Sequence, residues 1–250
     1  MKSIFFWIGW MSAALAGGSA LAGPLTPKEL LDQVDDLYRG QSAHGTMNLK
    51  VVTERWSREM KAEFWAKGKD QSLVRILAPT KEKGTATLKS KENIWNYLPK
   101  VNRVIKIPSS MMGGSWMGSH FTNDDLVKES RMTVDFEFQE TFAGKREGPP
   151  VHEITCTPKP GAAVVWGKLV VQIEQQRLVP VWIQYYDEDM KLARTLTFSD
   201  VQKLGARLVP FRSRMVPADK PKEFTEISYE QMRFDVPLGD DVFTLQNLQR

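Results

Sequence analysis

Two hydrophobic periods run through the chain, and they change over at Gly40. From Thr26 to Arg39 the apolar positions recur at helical spacing: Leu30, Val34 and Leu37 share a face, joined by Leu31 and Tyr38. This segment carries its own start and stop. Thr26 caps it, Pro27 takes the first helical position, Glu29 completes a T-x-x-E capping box, and Gly40 ends it. A single amphipathic helix of this length must pack on something larger to be stable.

Past Gly40 the period is two. Met47, Leu49 and Val51 alternate with Asn48 and Lys50, and Trp56 and Met60 lead into Phe64. Runs over Leu73–Leu77, Ala86–Leu88, Ile94–Leu98 and Val101–Ile107 follow. Val134, Phe136 and Phe138 then alternate with Asp135 and Glu137. Later runs cover Val151–Thr157, Val164–Glu174, Leu178–Tyr186, Leu192–Phe198, Arg207–Val216 and Phe224–Phe234. Lys67-Gly68-Lys69-Asp70, Lys83-Gly84, Asp187-Glu188-Asp189 and Gly205 mark turns between them. Short strands punctuated in this way predict a mainly β, antiparallel sandwich or barrel of about ten or eleven strands. No repeat, low-complexity run or long linker interrupts the series, so residues 23–250 are expected to form one domain. If the sheet curls around a helix without closing on itself, its concave face becomes a cavity.

The alternation breaks once, between Trp95 and Val127. A Pro99-Lys100 turn and a basic strand give way to a loop rich in Met and Gly, with Met111, Met112, Trp116, Met117 and Phe121. Thr122-Asn123-Asp124-Asp125 then reads as the start of a short helix. Flexible thioethers on a Gly-freed backbone suit an adaptable apolar surface. The plainer reading is a loop that covers the core and fills gaps in it.

The first 22 residues read as an export signal: Lys2, an apolar stretch from Ile4 to Leu15, and Ala20-Leu21-Ala22 as the cleavage site. Gly17, Gly18 and Ser19 spoil a membrane-spanning helix, which needs about 20 apolar residues. A soluble periplasmic protein, cleaved after Ala22, is therefore expected. The net charge of the 250-residue chain is only +4, with basic and acidic residues interspersed, so a nucleic-acid stripe is absent. Weak attraction to an anionic membrane face remains open. Cys156 is the one cysteine, set in a strand-like Ile154-Thr155-Cys156-Thr157, and reads as a buried hydrophobe.

Catalytic chemistry finds little support. His44, His120 and His152 are scattered, and no HExxH, CxxC or Walker motif occurs, so neither a metal nor a cofactor is expected. Ser119, His120, Asp124 and Asp125 contain the residue types of a triad, but neighbours on an extended segment point to opposite faces. Asp124 and Asp125 fit better as charges in a helix's first turn. An enzyme is not expected.

The combination of Trp95-Asn96-Tyr97-Leu98-Pro99, a basic strand and Gly114-Ser115-Trp116-Met117-Gly118-Ser119-His120-Phe121-Thr122-Asn123-Asp124-Asp125-Leu126 resembles the outer-membrane lipoprotein-sorting protein family, relatives of the periplasmic carrier LolA. Pro158, Val164–Lys168, Leu178-Val179-Pro180, Tyr185–Glu188 and Arg194-Thr195-Leu196 extend the likeness in order. The resemblance implies an unclosed, highly curved antiparallel half-barrel of about eleven strands. It also implies that helices near 26–39 and 122–130 form a lid over the concave side. The implied function is carriage of a lipoprotein's acyl chains, or another envelope lipid, toward the outer membrane by a monomer with transient membrane contact. An inner-membrane transporter, such as an RND-superfamily exporter, would load it. An RseB-like adaptor or lipid-responsive regulator is the alternative. On this view Trp95, Tyr97, Met111, Met112, Trp116, Met117 and Phe121 line the cavity or its mouth. Replacing Met112, Trp116 and Met117 by serine would then weaken lipid binding and leave the melting temperature nearly unchanged.

Overall fold

A computed structural model describes residues 25–128, 132–162 and 164–250; the expected signal peptide, 1–22, lies outside them. Helix α1 (Pro27–Arg39) begins as its sequence dictates. The Thr26 side chain accepts the Glu29 backbone N–H, and the Glu29 carboxylate accepts the Thr26 N–H at 2.7 Å. The bond from the Thr26 N–H, and then one from the Thr26 hydroxyl, hold the Glu29 carboxyl below its ordinary pKa.

Thirteen antiparallel strands follow. They are β1 (Ser42–Val52), β2 (Ser57–Lys67), β3 (Gln71–Ala78), β4 (Ala86–Ser90), β5 (Asn93–Leu98), β6 (Arg103–Lys106), β7 (Phe136–Gly144), β8 (Val151–Pro158), β9 (Lys168–Glu174), β10 (Pro180–Tyr186), β11 (Leu192–Leu204), β12 (Arg207–Pro217) and β13 (Phe224–Phe234). They form one sheet in the order β6-β5-β4-β3-β2-β1-β13-β12-β11-β10-β9-β8-β7. The chain walks from β1 to one edge, crosses to the other edge through residues 107–135, and walks back to β1. The crossing segment holds two single 3-10 turns (Ser109–Met111 and Trp116–Gly118) and helices α2 (Asn123–Lys128) and α3 (Met132–Asp135).

The sheet must curl, as side chains across it meet. Val74 of β3 and Val171 of β9 line the same cavity although seven strand intervals separate them. At about 4.8 Å per interval a flat sheet would set them some 34 Å apart. Within the curl, Met47, Leu49, Met60, Phe64, Val209 and Phe211 form one core cluster. Ile154, Val171, Ile183, Leu196 and Met215 form a second one with Leu30 and Leu31 of α1. On the outer face, Leu73, Ala86 and Leu88 pack under Phe243 and under Leu248 of α4 (Leu245–Leu248).

Thirteen strands stand against the ten or eleven expected: each period-two run of the sequence, short ones such as β4 and β6 included, forms its own strand. Two other expectations are corrected. Val134 lies in α3, ahead of the strand that starts at Phe136; Val164–Gly167 forms no strand, and β9 starts at Lys168.

Candidate functional site

A cavity of about 260 Å³ lies between the inner face of the sheet, α1 and the crossing segment. Its lining is mostly apolar: Leu31 and Val34 from α1, Met47, Phe64, Val74, Ile183, Leu196 and Ile227 from the sheet, and Trp116, Phe121 and Leu126 from the crossing segment. Asp35 and Lys69 stand at one end, 2.9 Å apart.

The crossing segment is seated by polar contacts at several points. Trp116 is 3% exposed, and its ring N–H donates to the Thr87 hydroxyl at 3.1 Å; that hydroxyl donates to Asn96 at 2.7 Å. A buried indole needs such a partner. Met117 and Gly118 both take positive φ, and a side chain at Gly118 would press on Arg58, which donates to the Met117 carbonyl. At the start of α2, Thr122 and Asp125 cap one another, the Thr122 N–H meeting Asp125 at 2.7 Å and the Asp125 N–H meeting the Thr122 hydroxyl at 3.2 Å.

Asp125 is also gripped by Arg194 through two bonds, 2.9 and 2.5 Å. Arg194 donates as well to the His120 carbonyl at 3.1 Å, and its guanidinium lies 4.5 Å from the Trp166 ring and 4.4 Å from the Tyr185 ring. The His120 backbone N–H donates to Thr225 at 2.9 Å, and its Nε2 lies 3.2 Å from the Glu223 carboxylate. Glu223 accepts the Glu54 backbone N–H at 3.1 Å; that bond, then His120, holds its carboxyl below the ordinary range.

The seven expected lining residues divide. Trp116 and Phe121 line the cavity, and Met117 packs against the adjoining core. Met112 is half-buried and offers its carbonyl to the Asp124 N–H at 2.8 Å; Met111 is 58% exposed. Trp95 and Tyr97 face the opposite side of the sheet, in the cluster under the C-terminal segment. Because Trp116 is buried and bonded, its truncation removes packing worth about 3–5 kcal/mol. The expectation of unchanged stability on replacing it is therefore corrected.

Arg194 and most of the lining were missed. Strand alternation marks inward positions, but it does not say which strands face one another. Ser119 donates to the Trp116 carbonyl at 2.7 Å while His120 turns to Glu223, so these residues form no nucleophile–base pair. Cys156 is buried, and desolvation pushes its thiol up to about 12. Among the described residues no cluster of His, Cys, Asp or Glu could hold a metal, and no helix is long and apolar enough to cross a membrane.

Residues 68–250 match a family model described as uncharacterized-protein-like. No curated protein matches the chain. Among solved structures, one domain from Vibrio parahaemolyticus, described as outer membrane lipoprotein-sorting, is 22% identical with a TM-score of 0.78, covering 90% of this chain and 98% of its own. A DUF1329 family protein from Desulfovibrio piger is 22% identical with a TM-score of 0.82, over 89% and 98%. A LolA superfamily protein from Nitrosomonas europaea is 19% identical with a TM-score of 0.75, over 90% and 100%. At these identities the likeness establishes the fold, the open curved sheet of the LolA superfamily.

Proposed function

Since the chain belongs to the uncharacterized-protein-like family whose model spans residues 68–250, and folds as LolA-superfamily proteins do, we propose that it is a periplasmic binding protein that shelters an acyl chain of a lipoprotein or other envelope lipid. The observation that carries this is the apolar cavity, roofed by α1 and the crossing segment. Its 260 Å³ falls just below the ~300–1,000 Å³ of small-molecule sites, which suits part of a single chain. A cargo with several chains would require the crossing segment or α1 to shift outward.

The energetics add a partner to the proposal. Each buried methylene is worth about 0.8 kcal/mol whether it lies in a bilayer or in a protein. A carrier that only matches the bilayer gains nothing on extraction, so loading calls for an energised inner-membrane transporter. An RND-superfamily exporter is one such machine.

Protein purified from periplasm without detergent should yield a stoichiometric acylated compound on organic extraction and mass spectrometry. Ser213 lines the cavity from β12, so Ser213→Phe should fill it. That variant should come out lipid-free and bind a fluorescent fatty-acid probe at least about tenfold more weakly, with its melting temperature held. Unchanged probe affinity in the filled variant would remove the cavity as the binding site. Wild-type protein that is empty and binds no probe would point to a protein-binding adaptor instead.

A further inference from the structure

In a sheet that runs from β1 to β6 as a simple meander, the β1–β2, β3–β4 and β5–β6 turns lie at one end. We propose that this rim is a docking surface for a bilayer rich in anionic phospholipid, separate from the cavity and independent of what the cavity holds.

Contacts make the three turns one surface. A methyl group placed on Gly84 would lie 3.6 Å from the Pro99 ring, joining the second turn to the third. Arg58 reaches Glu82 at 3.4 Å while its guanidinium lies 5.5 Å from the Trp56 ring, joining the first turn to the second. Leu98 and Arg103 are cross-strand partners at the base of the third turn.

Charge selects the partner. Residues 53–58, 79–85 and 98–103 hold six cations (Arg55, Arg58, Lys81, Lys83, Lys100 and Arg103) against two anions, Glu54 and Glu82. These short segments thus carry an excess equal to the +4 of the whole chain, and the remainder is balanced. Arg55, Lys83, Lys100 and Arg103 are exposed, and among the described residues none of them is paired with a carboxylate.

Three large apolar side chains stand among them in or beside these turns: Trp56 at 44% exposure, Leu98 at 38% and Val101 at 59%. Aromatic and aliphatic tips ringed by Lys and Arg are the composition of the membrane–water interface, where a fluid surface can close around separate projections. A protein partner would more naturally meet a groove or a flat patch. Across the same rim the β10–β11 turn presents Asp187, Glu188 and Asp189, so contact is confined to the β1–β6 half.

The full chain lacking only its signal peptide is floated with vesicles of phosphatidylcholine alone, or with about 30% phosphatidylglycerol added. Binding should appear with the anionic vesicles and fall as salt rises. Lys100→Glu with Arg103→Glu should lower the bound fraction at least about tenfold. Trp56→Ser with Val101→Ser should weaken it too, both pairs keeping the wild-type circular dichroism and fatty-acid probe affinity. Met190→Ser, in the acidic turn, should bind vesicles as wild type does, and so should the filled-cavity variant. Flotation that ignores vesicle charge or the charge reversal overturns the proposal. So does an absence of flotation, including one accompanied by capture of an acidic protein on the rim.

Discussion

Asp125 shows how much one side chain can hold. It caps α2, and it neutralises an arginine that is 6% exposed and packed against the adjoining rings of Trp166 and Tyr185. Asp125→Ala would leave that guanidinium buried without its carboxylate. Breaking a buried pair from one side costs about 3–5 kcal/mol, so urea unfolding should show a loss of that size. A loss below about 1 kcal/mol would mean that water takes over the carboxylate's role. Sequence alone gives half of this. The first-turn position of Asp125 is legible from Thr122-Asn123-Asp124-Asp125, whereas Arg194 is one polar position in an alternating strand. Nothing local says that residues so far apart meet. Trp95 and Tyr97 expose the same gap. Both faces of β5 are covered, so alternation could not tell the inner face from the outer.

The elements divide by how locally they are encoded. Helix α1 is written in full by Thr26, Pro27, Glu29 and Gly40, and the strands by their alternation. The four-residue α4, which covers the outer face, is too short to leave a periodic trace. The crossing segment is read only in part. Its Gly and Met content announces a loop, but its seat depends on Thr87, Thr225 and Arg194 of distant strands and on Glu223 in the turn before β13. One of those anchors titrates. Glu223 has its pKa lowered in the fold, so its contribution is complete above the ordinary carboxylate range and is lost as pH falls from that range through the lowered value of the folded state. Wild type should therefore lose stability to urea on acidification from neutral pH, and Glu223→Gln should lose distinctly less. Parallel losses in the two proteins would show that other carboxylates dominate.

At the scale of the whole molecule, the alternation, the early helix and the family resemblance together gave the open curved sheet. The expected strand count fell short although the runs themselves were legible, since even the shortest of them pairs as a strand of its own. The order of the strands has a further bearing on how the chain becomes a protein at all. Val52 pairs with Phe224 and Ala43 with Phe234, so the strand made first has one side bare until the last is made. That side lies at the middle of the finished sheet, beside Met47, Leu49 and Val51, and has only Lys50, and no proline, to blunt it as an edge. Pairings so distant along the chain also form slowly. A product ending at Pro217 should self-associate and scatter light at concentrations where the whole chain stays clear. A clear, monomeric product would show that β1 is shielded by other means. Vectorial synthesis thus leaves the chain sticky until β13 arrives, which favours keeping it unfolded, in the hands of a chaperone, until that strand has been made.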